Sequence, residues 1–270
     1  MDNSAEKLLV LGTGNAAVTD CFNTCFVLST PEGLLLTDCG GGNGILRQLK
    51  AFGLKAEDIH NIYISHEHCD HLTGIIWLMR MITQGMLSGK YEGNLEIWCQ
   101  EILEDRIKAI CCAMLPEKQT RFFGDRVLIH TVKDGDSAVI LGRRFTFFDI
   151  NSTKAPQFGY SADLDCGRLV FAGDEPVSPN GEKYARDADW LLCEAFSLES
   201  EADIFSPYKK HHSTAADAGQ LAERLNVKNL LLWHTEESDL PRRKARYTAE
   251  AAEYYSGNIL VPDDLEIIEL

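Results

Sequence analysis

The chain has 270 residues, 45% hydrophobic, 9% aromatic and 25% charged, with a formal net charge of −15. This is a globular composition, without low-complexity tracts or short repeats, and no stretch approaches the ~20 apolar residues needed to span a bilayer. The acidic balance argues against a broad phosphate-backbone-binding surface, because such affinity rests on lysine and arginine contacts.

Met1–Leu11 lacks a basic segment followed by a long apolar run, so no leader is expected. The nine cysteines are an odd number, scattered, with no C-x-x-C pair, and read as reduced cytoplasmic thiols. No Pro/Gly/Ser-rich linker divides the chain, so residues 1–270 are read as one domain.

Leu8–Leu11 predicts a strand ending at Gly12-Thr13-Gly14. Cys25–Leu28 and Leu34–Leu36 predict a hairpin around Pro31-Glu32-Gly33. Gly40–Gly44 lacks the Lys-Ser/Thr ending of a phosphate-binding loop and reads as a tight turn into a helix reaching Phe52.

Asn61–Ile64 is a buried-strand pattern that runs directly into Ser65-His66-Glu67-His68-Cys69-Asp70-His71. Three histidines and an aspartate within six residues form an H-x-H-x-D-H cluster. Imidazole and carboxylate hold borderline divalent metals, and such donor sets leave a position for water. Cys69 is read as a small core-facing residue. The apolar residues from Leu72 to Ile82 predict one helix beginning near Asp70, whose charge suits a first helical turn. Most of the Met and aromatic residues between Met79 and Phe123 are expected in the core, with a pocket mouth as the alternative.

Downstream, strands are predicted at Leu95–Cys99, Val127–Thr131, Ala138–Leu141, Arg144–Ile150, Arg168–Ala172, Trp190–Cys193, Asn229–Trp233 and Leu265–Ile268. Helices are predicted at Glu101–Ala113, Thr214–Leu225 and Arg242–Tyr255. Arg242-Arg243-Lys244 reads as a solvated helix face. Abundant strands with interspersed helices favour an α+β sheet-on-sheet core with helices outside over a doubly wound parallel sheet. Asp174 and His234 each stand just past a predicted strand, where further ligands belong.

The ordered set His66, His68, Asp70, His71, Asp174 and His234 resembles the metallo-β-lactamase superfamily over nearly the whole chain. The resemblance implies a four-layer αβ/βα sandwich with two metal positions at one edge of the sheets. By that resemblance His66 and His68 serve the first metal, Asp70, His71 and His234 the second, and Asp174 bridges them. Cys193-Glu194-Ala195-Phe196, His212-Ser213-Thr214-Ala215 and Gln157-Phe158-Gly159-Tyr160 are similar to segments of the ribonuclease Z-like branch. They imply Glu194 orienting a catalytic His212, with His211 as a less favoured substitute, and Tyr160 against substrate. Cys193 and Phe196 depart from the branch pattern.

The superfamily supplies a third histidine to the first metal from a loop preceding Phe158. Here Asp149–Pro156 contains none, and Asn151 is the best match to the degenerate position, with Thr153 second. An amide oxygen is a poorer ligand than imidazole. The expectation is up to two Zn2+ ions, Mn2+ or Fe being alternatives, with the second site tighter.

The implied chemistry is a metal-activated hydroxide attacking an electrophile, with Asp70 orienting it and His212 protonating the leaving oxygen. A small phosphodiester, such as a cyclic nucleotide or short oligonucleotide, is the leading substrate. Transfer-RNA processing in that branch uses a protruding basic arm, and Ser161–Arg168 is too short to form one. The alternatives are lactone or thioester hydrolysis and a non-catalytic metal-binding protein. A small-molecule substrate, no membrane and no long nucleic acid are the expected partners; a homodimer stays open.

Overall fold

A computed structural model describes residues 5–270. Residues 1–4 of the Met1–Leu11 segment lie outside the described residues. The first half carries β1 (Lys7–Gly12), β2 (Cys25–Thr30), β3 (Gly33–Thr37), α1 (Gly44–Ala51), β4 (Asn61–Ile64), α2 (Cys69–Leu72), α3 (Ile75–Leu87), β5 (Leu95–Gln100), α4 (Glu101–Met114), α5 (Glu117–Thr120) and β6 (Val127–Val132). The second carries β7 (Ser137–Ile140), β8 (Arg143–Asp149), β9 (Phe158–Leu164), β10 (Gly167–Phe171), α6 (Pro179–Ala185), β11 (Trp190–Glu194), α7 (Ala202–Phe205), α8 (Ala215–Arg224), β12 (Asn229–Trp233), α9 (Leu240–Ala251) and β13 (Asn258–Leu260). The last strand, β14 (Ile267–Glu269), returns to pair antiparallel with β1.

The strands form two sheets, in the orders β14-β1-β2-β3-β4-β5-β6 and β13-β12-β11-β10-β9-β8-β7. Their central strands are apolar on both faces, because each sheet is covered twice. Leu8, Val10, Phe26 and Leu28 face the inter-sheet core with Leu169, Phe171, Leu231 and Trp233. Leu9, Leu11 and Val27 face outward onto residues of α1, α3 and α4. Leu230 and Leu232 do the same on the other sheet, against Ala215, Ala218, Ala222 and Tyr247 of α8 and α9. The result is the four-layer α+β sandwich implied by the resemblance.

The helix predicted from Asp70 is broken in two at Thr73-Gly74. Gly74 donates to the Gly40 carbonyl at 2.9 Å, and a Cβ there would stand 1.9 Å from the Cys39 carbonyl oxygen. That close approach ties the metal-donor segment to the turn after β3. The turn itself needs glycine: Gly40 has φ +64 and its missing Cβ would meet the Phe22 ring at 2.5 Å.

Leu265 takes φ +68 and precedes β14 instead of opening it. Arg243 is buried, not solvated: its guanidinium donates to Thr13 Oγ1 at 2.9 Å, Thr235 Oγ1 at 3.2 Å and the Pro262 carbonyl at 2.8 Å. Helix α9 packs the apolar face of Tyr247 and Ala251 onto the sheet, and Arg243 lies one turn before Tyr247 on that face. Among the described residues, no helix is long and apolar enough to cross a membrane.

Candidate active site

The putting-together of the site follows from the parallel strand ends. β3, β4, β10, β11 and β12 each finish at the same edge and deliver Asp38, His66, Asp174, Glu194 and His234 there. His66 Nε2 lies 2.8 Å from His68 Nδ1 and 3.5 Å from Asp174 Oδ2. His71 Nε2 lies 3.1 Å from Asp70 Oδ2 and 3.4 Å from Asp174 Oδ2. His234 Nε2 lies 3.7 Å from Asp70 Oδ2 and 3.5 Å from Asp174 Oδ2. All six sequence-predicted donors are thus brought together, with Asp174 touching both groups.

The donor atoms of His66, His71 and Asp174 fall within 4.8 Å of one another, and so do those of Asp70, His71 and His234. Nε2 of His71, Nε2 of His234 and Oδ1 of Asp174 are buried without a hydrogen-bonding partner among the described residues. Buried polar atoms in proteins are as a rule hydrogen-bonded, and several unpartnered ones that converge on one point fit a cation. The nitrogen and oxygen donor set suits zinc or a similar ion.

Asp38 was not anticipated from the sequence. Its Oδ1 accepts from the Ser65 amide at 2.8 Å, and its Oδ2 accepts from Ser65 Oγ at 2.7 Å and from His71 Nδ1 at 2.8 Å. When a cation takes Nε2, this bond would hold the remaining imidazole proton on Nδ1 and keep Nε2 facing the cluster. The available signal was an aspartate just past a strand, the same one that marked Asp174.

Electrostatics couple the cluster tightly. Burial drives His66 down to about 3. Burial would lower His71 too, but Asp70 and Asp38 outweigh it and hold it well above its ordinary value. Burial opposes ionisation of Asp174, yet His66, His71 and His234 keep its carboxyl well below the carboxylate range. Asp70 is held low in the same way by His71 and His234, against its burial.

A cavity of about 580 Å³ opens over this cluster, lined by His68, Asp70, Asp174, His212 and His234 among others. His212 stacks on Phe196, ring centroids 4.9 Å apart and 10° from parallel. Its Nδ1 lies 3.7 Å from Glu194 Oε2, beyond hydrogen-bond range. The fully buried Glu194 accepts instead from the Ser213 amide at 2.6 Å, Ser213 Oγ at 2.7 Å and the Phe196 amide at 3.1 Å. Glu194 therefore pins the segment that carries His212, and Phe196, the departure from the branch pattern, supplies its stacking surface. His211 is exposed and does not line the cavity.

Three sequence expectations need correction. Asn151 is exposed, with φ +58; its Oδ1 accepts from Ser178 Oγ at 3.3 Å, and it lines a separate surface cavity with Thr153. Neither residue occupies a metal position. The loop sends Lys154 into the site instead, with Nζ 3.3 Å from His212 Nε2 and 3.6 Å from Glu175 Oε1. Tyr160 does not face substrate: it is fully buried between the sheets, where its hydroxyl is hydrogen-bonded to Thr37 Oγ1 at 2.9 Å. Its position on β9 shares the inward face with Ala162 and Leu164. Cys69 is exposed at the first position of α2, not core-facing. The core reading of Met79–Phe123 holds: Met79, Met86, Tyr91 and Phe122 are buried and Met81, Trp98 and Phe123 pack against the core, while the cavity takes its walls from Ala16–Val18, Phe205 and Lys210.

Comparison with known proteins agrees with this geometry. A family model described as Anti-Pycsar protein Apyc1 matches residues 6–251. Ribonuclease Z of Thermobifida fusca is 24% identical, over 97% of this chain and 94% of its own length. The metallo-β-lactamase fold protein YhfI of Bacillus subtilis superposes with a TM-score of 0.80 at 18% identity, covering 99% of this chain and 100% of that one. The short form of human tRNase Z gives 0.73 at 22% identity, covering 97% and 98%.

Proposed function

This chain belongs to the Anti-Pycsar protein Apyc1 family, and lies in the ribonuclease Z-like part of the metallo-β-lactamase superfamily; from that premise we propose that this metallo-hydrolase is a phosphodiesterase acting on a small phosphodiester, such as a cyclic nucleotide or a short oligonucleotide. The observation that carries the reading is the convergence of the six proposed donors, four of which (His68, Asp70, Asp174 and His234) line with His212 one cavity of about 580 Å³. Its volume suits a nucleotide-sized ligand.

His66, His68, Asp70, His71, Asp174 and His234 would hold the metal. Bound there, a divalent cation lowers the pKa of a water and polarises the phosphoryl group. The chain's own groups do the rest. Asp70 Oδ2, between His71 and His234, orients the attacking water. His212 protonates the leaving oxygen from Nε2, the nitrogen that faces Lys154. The proton on Nδ1 stays beside Glu194, and stacking on Phe196 restricts the ring to this plane.

Two observations support a small substrate. The Ser161–Arg168 segment is taken up by the β9–β10 hairpin, whose strands pair Leu164 with Gly167 and leave only Asp165 and Cys166 in the turn. No arm extends from it, and the net charge is −15. A second reading, cleavage of a longer RNA, is favoured by the near full-length similarity to proteins named ribonuclease Z. Acyl hydrolysis is the remaining alternative.

Parallel assays of the zinc-loaded protein with bis(p-nitrophenyl) phosphate, cyclic nucleotides, a precursor transfer RNA and simple lactones separate the three. Turnover of the small diesters above the others is expected. Turnover of lactones alone would sink the reading, and a marked preference for the precursor RNA would replace it with the second.

A further inference from the structure

The loop expected to bring a third histidine brings a cation. Lys154 Nζ stands 3.3 Å from His212 Nε2, and in the same cavity Lys210 Nζ lies 4.7 Å from the centre of the Phe196 ring on which His212 stacks. One ammonium group thus meets the imidazole and a second meets the ring on which it stacks, in a chain of net charge −15.

Glu236 and Glu237, which line the same cavity, and Glu175, beside Lys154, all accept other hydrogen bonds. Glu237 accepts from the Thr19 amide at 2.8 Å and the Asp20 amide at 2.7 Å. Glu236 accepts from the Ser238 amide at 2.6 Å and its hydroxyl at 3.0 Å. Glu175, 3.6 Å from Lys154, already accepts from Ser152 Oγ at 2.9 Å. Among the described residues Lys154 has one ion-pair partner, Glu175, and Lys210 has none, and such a pair of ammonium groups at one cavity suits an anionic ligand, which lysine engages as a point charge.

We infer that Lys154 and Lys210 form a clamp for the non-bridging oxygens of the substrate phosphate and so select anionic diesters over neutral esters. The inference rests on the phosphodiesterase reading above. In the free protein Lys154 donates to His212 Nε2. When the phosphate arrives, the ammonium transfers its hydrogen bond to a phosphate oxygen, and the freed Nε2 takes up a proton from solvent, which it passes to the leaving oxygen. A lactone or a phosphotriester offers the clamp no anionic oxygen.

The test uses the zinc-loaded full chain and the variants Lys154→Met, Lys210→Met and their combination. It compares bis(p-nitrophenyl) phosphate with its neutral methyl triester, and measures inorganic phosphate affinity by calorimetry and zinc content by elemental analysis. Each lysine removed should raise KM for the diester and the dissociation constant for phosphate about tenfold. Triester turnover should fall much less than diester turnover, zinc content should stay at the parental level, and Lys154→Arg should recover most of the loss. Equal losses on diester and triester, or unchanged phosphate affinity, would overturn the clamp. If the parent protein turns over neither ester, the phosphodiesterase reading fails, while phosphate affinity still decides the clamp: retained in the double variant it refutes it, lost it supports it.

Discussion

Replacing Asp38 by asparagine tests how the fold prepares its metal donors. In the parent protein Oδ2 accepts from Ser65 Oγ and His71 Nδ1, while Oδ1 accepts from the Ser65 amide. The amide oxygen of asparagine can keep the Ser65 backbone bond. Its NH2 group then takes the place of Oδ2 and points a donor at His71 Nδ1. His71 must respond by becoming the Nε2–H tautomer, which aims a proton at Asp70 and Asp174 instead of a lone pair. Loss of such an orienting partner costs about 10- to 100-fold in metal affinity, roughly 1.4–2.8 kcal/mol. Asp38 is 1% exposed, so no solvent can restore the missing acceptor. The assay is zinc competition against a chelator at neutral pH, with circular dichroism to verify folding. A folded Asp38→Asn protein with parental zinc affinity would refute the reasoning.

Three further outcomes are expected. Tyr160→Phe should leave KM for the small diester unchanged and cost about 1 kcal/mol of unfolding free energy through the lost Thr37 bond; a large rise in KM would return Tyr160 to the substrate. Asn151→His should leave zinc stoichiometry unchanged by elemental analysis, because that side chain faces Ser178 and a separate surface cavity; one additional tightly held zinc would show the loop to be misplaced. Glu6 is buried, which alone would raise its pKa, but the Cys166 and Asp165 backbone bonds and Arg143 lower it below its ordinary 4.5. Its stabilisation is therefore present above that value and lost as pH falls through the folded-state pKa. Glu6→Gln should cost about 1–3 kcal/mol in denaturant titrations at pH 7, and the deficit should shrink below pH 4.5; a deficit that grows with acid would reverse the assignment.

Much of the fold was legible because both-face burial writes strands as continuous apolar runs, as in Leu8–Leu11 and Leu230–Trp233. The six donors were legible because each follows such a run or lies in the compact cluster after β4. What escaped depends on backbone direction and on parity. Asp38 has φ +57, a left-handed turn that swings its carboxylate back towards Ser65 and His71, and the sequence Thr37-Asp38-Cys39 does not announce that turn. Lys154 escaped because the path of a loop, unlike that of a strand, leaves no periodicity. Tyr160 could have been placed correctly: Tyr160, Ala162 and Leu164 alternate with Ser161 and Asp163, which sets the tyrosine on the core face. The break at Gly74 was hidden inside an apolar pattern that continues across it.

The proposed metal donors are divided between the two sheets. His66, His68, Asp70 and His71 follow β4 in one, while Asp174 and His234 follow β10 and β12 in the other. A cation bound there acts as a removable cross-link between the halves of the sandwich. Because neither half alone presents the full donor set, every increment of metal affinity is also an increment of sheet-docking free energy. Chelation should therefore weaken the seam between the sheets before it weakens either sheet, and amide exchange should rise first in the inter-sheet strand ends.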